Sequence, residues 1–491
     1  MVNGRNTSEL PHAVRTFGWL AAFFFCCPCI CVSDDGAPPV KREGGQLVYS
    51  RDALGNQVPD FSHCGYRGGD QPIPQVPAEV TVAPSGGDSG RRLQAAIDYV
   101  AGLPADEEGF RGAVQLAPGK YDIRGQLVIR SAGVVLRGAG AGDQGTTLRA
   151  TGNDRRTLIR IAGTTGRETN DAVAAIVDEY VPVGARQFRI DDASNLKVGD
   201  EVVVTRPSTN QWIKELGMDA FGVSWKPGTR DVRGGRTITA MNGQLITHDA
   251  PIPLATYKPF GGGTLAKCDW PGRITNIGIE DLQLVSDYSR DNPLDEEHAW
   301  HGVTFENARD GWVRRVEFRN FDGGAVAVWE TADRVTVEDC ISREPISEFA
   351  GYRRHTFFTQ GGRTLFLRCW SEQGMHDFTV GHCAAGPNAF VNCYAADAHG
   401  DSGPIESWAS GVLYDNVRID GAGLNLENRW VSPPSAGWSA ANSVIWQCQA
   451  ATMRCFQPPT ARNWVNGVWT RYAGDAKLWG ESDFVDPKSL Y

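Results

Sequence analysis

Histidine is scarce in this chain of 491 residues, at nine, and cationic side chains are in deficit. Lys and Arg number 48 against 58 Asp and Glu, a formal charge of −10. A charge of that sign gives no reason to expect nucleic-acid binding, so contacts with an acidic partner have to come from a local group of arginines. Past the N-terminal region no apolar run is long enough to cross a bilayer. The cysteines beyond that region (Cys64, Cys268, Cys340, Cys369, Cys383, Cys393, Cys448 and Cys455) form no CxxC pair and no His/Cys run at zinc spacing, which removes a zinc module from consideration. What is present is ordinary globular composition, 41% hydrophobic and 22% charged, with 57 Gly and 15 Trp that lean toward a turn-rich β protein with aromatic surfaces.

Residues 1–33 combine Arg5, His12 and Arg15 with "FGWLAAFFFCCPCICV" (17–32) and a polar, proline-rich exit. A basic start followed by an apolar stretch too short for a stable span reads as a signal peptide, so the protein is expected to be secreted or periplasmic. Residues 34–85 form a Pro/Gly-rich lead-in.

In "GDSGRRLQAAIDYVAG" (87–102), Leu93, Ala96, Ile97 and Val100 keep helical spacing behind Asp88 or Ser89 as N-cap, which predicts one short amphipathic helix. The period then changes to two, with short strands broken by glycine or proline, giving a cap and first coils over 86–169. Residues 170–265 read as a small antiparallel β insertion, with a hairpin turn at Asn242-Gly243. From 266 to 456 the chain repeats. Leu282, Val316, Cys340, Cys369, Cys393, Val417 and Cys448 stand at the centres of similar segments, separated by 34, 24, 29, 24, 24 and 31 residues. A basic period of 24 fits one coil of a parallel β-solenoid, and small apolar residues at that position fit an inward-facing ladder on which the cysteines are buried thiols. Cysteine pairing between neighbouring coils stays open. Residues 457–491 read as a C-terminal tail or cap.

"GDSGRRLQAAID", "LAPGKYDI" and "VVLRGAG" resemble the N-terminal cap and first coils of the pectate-lyase-like superfamily. "DFSHCGYRGG", His376-Asp377-Phe378 and "GPNAFVNC" resemble a poorly characterised branch of secreted bacterial proteins within it. The resemblance implies an all-β fold, a right-handed parallel β-helix with an N-terminal capping helix and an inserted antiparallel subdomain. Relatives often carry a histidine pair after the "SGP" turn, where this chain has "SGPIESW" (402–408). The aspartate signatures of polygalacturonases and the RxPxxR signature of calcium pectate lyases are also missing, so no reaction carries over.

The histidines gather nonetheless. His298, His301, His355, His376, His382 and His399 fall within about a hundred residues, and a period of 24 turns sequence into a map. It predicts Arg353, Asp377 and Asp401 in one column, with Asn425 one coil further, and His382 and Glu406 in another. His355, His376 and His399 lie beside them, and His298 and His301 at a rim. Two stacked carboxylates repel unless a cation sits between them, and Arg353 or Ca²⁺ would serve. The catalytic candidates are therefore Asp377, Asp401, His382, Glu406, His376 and His355. The substrate-binding candidates are Arg353, Arg354, His399, Trp408, Asn425 and Tyr352. The alternative for these columns is a purely structural Asp/Asn and His–Glu ladder. Trp300, Trp312, Trp329, Trp370, Trp408 and Trp430 with Tyr352 and Tyr414 recur through the coils, some as core and some as surfaces for sugar rings.

Three functions compete. A lyase cleaving an acidic, uronate-containing polysaccharide by β-elimination would use the arginines or a metal on the sugar carboxylate and histidines as base and acid. A glycoside hydrolase would use two of Asp377, Asp401 and Glu406. A glycan-binding spike or adhesin would use the same faces without chemistry.

Overall fold

The computed structural model of the protein describes residues 38–166, 168–433 and 435–491. The apolar stretch at 17–32 lies outside the described residues. Among the described residues no helix is long and apolar enough to cross a membrane.

Each coil lays down three short strands at an angle to one another, as in Leu365–Leu367, Trp370–Glu372 and Phe378–Val380. Each strand pairs in parallel with its counterpart one coil away. Leu365 meets Ala389 and Ala389 meets Leu413, while Trp370 meets Tyr394 and Tyr394 meets Arg418. The result is three parallel sheets wound as a right-handed parallel β-helix. The third sheet has seven strands, from Leu127–Ile129 to Gly403–Pro404.

The second sheet keeps the spacing of the repeat. Leu282 pairs with Val316, and the neighbouring pairs Glu317–Ile341, Ile341–Trp370, Trp370–Tyr394, Tyr394–Arg418 and Arg418–Gln449 carry the register through to Cys448. All seven residues of the ladder are buried. Its cysteines are free thiols, and burial pushes those of Cys340 and Cys448 up to about 12 or beyond, which makes them inert packing groups.

One residue before each ladder position the backbone turns left-handed. Asp281, Arg315, Asp339, Arg368, Asn392, Asn416 and Gln447 have φ between 50° and 58°. A single left-handed residue bends the ribbon sharply between first and second sheets, and Asn and Asp tolerate that conformation better than most. Paired charges on adjacent coils accompany two of these corners, Arg315–Asp281 and Arg368–Asp339, both at 2.8 Å. Being exposed, each contributes at most about 1 kcal/mol.

Inside, aromatic side chains stack coil on coil. Phe366, Phe390 and Tyr414 lie face to face with centroids 4.6 and 5.1 Å apart, and Phe357 stacks on Phe378 at 5.9 Å. The helix Gly90–Ala101 buries Leu93, Ala96, Ile97 and Val100 against the first coils, which closes the end of this core. At the other end the winding runs past 456. Trp464–Gly474 and Leu478–Glu481 add further parallel rungs, because Val465 and Val468 still face the core. The lead-in lies along the outside of the first sheet, where the amides of Gly65 and Tyr66 donate to Arg363 and Thr336.

Between the early and main coils a six-stranded antiparallel sheet forms from residues 168–269, with Ile176, Phe188, Val202, Ile238 and Ile246 in a core of its own. The strand Val232–Asn242 turns back through Asn242-Gly243 into Leu245–His248. A short helix, Asn210–Glu215, carries Trp212 into a cluster with Trp225 and Trp408, and this docks the insertion on the late coils.

Candidate active site

The third sheet departs from the period. His301 pairs with Gly324, Val326 with Phe357, Phe357 with Phe378, and Thr379 with Gly403. Carried along the strands, these registers put His301, Gly324, His355 and His376 on one rung, at separations of 23, 31 and 21. The three imidazoles face outward beside one another. The His355 and His376 rings are 5.0 Å apart, and His301 packs 5.9 Å from Trp329. Gly324 is the gap in this column, since a Cβ there would meet the carbonyl oxygen of His355 at 2.2 Å.

The rings are held neutral. Burial drives His301 down to about 4 and His355 to about 3, with His376 and His301 adding repulsion at His355. Burial lowers His376 as well, opposed by Asp401, whose carbonyl oxygen accepts from its Nδ1 at 2.6 Å. Nε2 of His355 is buried with no hydrogen-bond partner. Half-exposed Tyr352 lies 6.0 Å from the His355 ring, and Phe358 lies 6.0 Å on another side.

Beside the column, Glu296 accepts two hydrogen bonds from Arg353, at 2.7 and 3.0 Å, and one from Arg155 at 3.0 Å. Both guanidiniums lie over Trp300, at 5.8 and 5.3 Å. The Arg353 pair holds Glu296 below the usual carboxylate range. Asp322 goes the other way. It is fully buried, and burial together with the Glu296 charge lifts it to about 7, against the pull of Arg155, Ser347 and Arg353. Two neighbouring carboxyls whose environments push them apart are an arrangement common at functional sites.

Several expected members stand elsewhere. Arg353, Asp377 and Asp401 do not form one column, because the offset between the strands at 357 and 378 is 21, not 24. Asp377 and Asp401 do share a rung, yet their carboxyls separate. Asp377 is fully buried, accepts from Ser371 and from Thr356 at 3.2 Å, and is raised by that burial to about 6. Asp401 turns outward to Arg429 and to Asn425, 3.0 Å away; burial would raise it, but Arg429 and then His376 bring it below its ordinary value. No cation is shared between the two aspartates. Among the described residues no three His, Cys, Asp or Glu side chains converge as ligands for Ca²⁺ or another metal.

His382 and Glu406 do meet, but through the backbone. The Glu406 carboxylate accepts from the His382 amide at 2.6 Å and from Gln360 at 3.1 Å, while the His382 ring reaches the Thr229 carbonyl at 3.1 Å. Arg354 is a scaffold residue, donating to Ser347 and to the Gln373 carbonyl. His298 is buried between Ser286 and the carbonyls of Asp295 and Ile346 rather than at a rim. Trp408 is 1% exposed within the tryptophan cluster and presents no face to a sugar. His399 is exposed, edge-on to Phe349 at 4.5 Å. Glu296 carried no signal in the repeat, because the long loop at 287–300 brings it in; Asp322 and Gln360 stand just outside the strands Gly324–Val328 and Phe357–Thr359.

At the far ends of the same strands, Trp329, Gln360 and His382 lead into a cleft of about 270 Å³ between the coils and the insertion. Arg273, Arg309, Arg233 and Arg236 line it together with Asp333, Glu201, Asp231 and Glu330.

No family model matches the chain, and no curated protein matches it. Among solved structures it is similar to the tailspike protein gp49 from Pseudomonas phage LKA1, 13% identical over 79% of this chain and 70% of that one, with a TM-score of 0.35. It is also similar to an alginate lyase from Paenibacillus sp. str. FPU-7, 8% identical over 83% and 100%, TM-score 0.41, and to a polygalacturonase from Erwinia carotovora ssp. carotovora, 12% identical over 83% and 96%, TM-score 0.37. Likenesses of this degree say nothing about a shared reaction.

Proposed function

We propose that the protein is a secreted polysaccharide lyase, cleaving a uronate-containing glycan by β-elimination on the outer face of the third sheet. One observation carries this reading: a column of neutral, partly exposed imidazoles, His301, His355 and His376, with a half-exposed phenol, Tyr352, against it. Elimination removes the proton on C5, forms a C4–C5 double bond and expels the glycosidic oxygen at C4, which takes up a proton. A neutral imidazole accepts the first proton, and Tyr352 supplies the second. The low basicity of His355 in the free protein belongs to a desolvated ring without a counter-charge. A sugar carboxylate entering beside it supplies that charge and raises the ring toward the range where it works as a base. Arg353 and Arg155 stand at the Trp300 end of the column, both paired with Glu296.

A hydrolase is less well served. Asp377 and Asp322 are fully buried, Asp401 is paired with Arg429, and the Glu406 carboxylate is engaged by an amide and a glutamine. The test is incubation of the purified protein with alginate, polygalacturonate and glycosaminoglycans, following the ultraviolet absorbance of unsaturated uronate. We expect a rise that disappears in His376→Ala. Saturated products would turn the assignment to a hydrolase, and binding without turnover to a spike or adhesin.

A further inference from the structure

The cleft between the insertion and the coils lies apart from the histidine column, and its charges are unevenly paired. Asp333 sits at its centre. It is ion-paired with Arg363, whose Nε is 3.0 Å away, and with Arg309 at 3.3 Å, while Arg273 stands off at 3.9 Å. Arg363 also binds Asp249 at 2.6 Å, and Arg309 also pairs with Glu201. Arg236 is buried and spends its donors on backbone carbonyls, those of Ala250, Pro251, Gly235 and Gly386. The lining arginines and carboxylates are equal in number, Arg233, Arg236, Arg273 and Arg309 against Asp231, Asp333, Glu201 and Glu330, but they are unequally paired.

Arg273 is the member left short. Both of its carboxylate contacts are at 3.9 Å, its Nε is buried without a hydrogen-bond partner, and 13% of its side chain opens to the cleft. Burial depresses its basicity to about 10, in keeping with a cation that is incompletely neutralised. The indole of Trp270 lies 5.1 Å from the same guanidinium and lines the same space. Gly234 and Gly235 keep side chains out of the wall facing the arginines. A volume near 270 Å³ is at the small end of ligand sites, roughly 300–1,000 Å³, and takes one sugar unit rather than a length of chain.

We propose that this cleft is a subsite for a single acidic sugar, its carboxylate or sulfate on Arg273. The inference deepens the lyase reading by placing the recognition of acidic units away from the imidazoles, but binding here needs no turnover. The experiment is calorimetric titration of the full chain with digalacturonate, a sulfated glycosaminoglycan disaccharide and neutral cellobiose, repeated on Arg273→Gln and Arg273→Lys. Loss of one charge-assisted contact predicts at least about tenfold weaker binding of the acidic probe in Arg273→Gln, with Arg273→Lys closer to wild type. Binding of digalacturonate alone identifies the carboxylate as the ligand, and binding of the sulfated disaccharide alone identifies the sulfate. Equal binding of cellobiose, no binding of either acidic probe, or an Arg273→Gln variant that folds and binds as tightly as wild type overturns the proposal. Binding that depends on Arg273 in a protein without lyase activity upholds the subsite and removes the lyase assignment; lyase activity unchanged in Arg273→Gln, with no binding to the cleft, does the reverse.

Discussion

The second and third sheets are wound by the same chain, yet they obey different rules. In the second sheet the turn from the first is a single left-handed residue on each coil from Asp281 to Gln447, and the inward ladder from Leu282 to Cys448 follows these corners. The third sheet is reached across connections of changing length, as between Ile341–Arg343 and Phe357–Thr359 and between Trp370–Glu372 and Phe378–Val380. Its neighbours sit 23, 31, 21 or 24 residues apart, and those of the second sheet 34, 24, 29, 24, 24 and 31. What is constant at the wall is the one-residue corner, and what varies at the face is the connection that leads to it.

That contrast is open to test. The largest expected effect is on the wall: Phe390→Ala removes the middle ring of the Phe366–Phe390–Tyr414 stack and should cost about 3–5 kcal/mol in urea unfolding. On the face the balance reverses. His376→Ala should lower turnover of a uronate polymer by roughly 10²-fold or more, while stability at neutral pH changes by no more than about 1 kcal/mol. Were both variants to lose stability equally, the division into wall and working face would fail.

Asp377 and His355 sharpen it further through pH. The Asp377 carboxyl is raised in the fold to about 6 from 3.8, so between those values the native state holds a proton that the unfolded state has released. Stability from this group is present below about 4 and is lost as pH rises through 6. Asp377→Asn should therefore gain about 1–3 kcal/mol at pH 7 and nothing at pH 3.5. His355 slopes the other way. Its ring is lowered from 6.5 to about 3, so its contribution is complete above 6.5 and is lost as pH falls toward 3. Melting temperatures of Asp377→Asn and His355→Phe across pH 3.5–8 should deviate from wild type at opposite ends. The smallest effect belongs to the cysteine ladder: Cys393→Ala should cost about 1 kcal/mol or less and leave activity untouched, measured by denaturation and product formation.

The fold was legible because burial writes itself into the repeat. The spacing of Leu282, Val316 and the four cysteines is the register of the second sheet, and the helical spacing of Leu93 to Val100 is the helix that caps the core. The Asp401–Asn425 contact and the His382–Glu406 contact were legible too, both across connections where 24 residues separate the coils. The histidine column was not. His301, His355 and His376 meet across offsets of 23, 31 and 21 that no single period predicts. The alternation of faces misled at Asp377, which turns inward at a bend, and at Trp408, which the insertion covers. Long-range docking of an inserted sheet leaves no local trace in the residues it buries.

The one-residue corners have a further consequence for how the molecule fails. From Asp281 to Gln447 that edge turns through one-residue corners, whereas the opposite edge carries the segments 287–300 and 344–356, with Leu294, Phe349 and Tyr352 exposed. Wear therefore falls on the side beside the imidazoles, and a nicked protein would stay wound while its working face came undone.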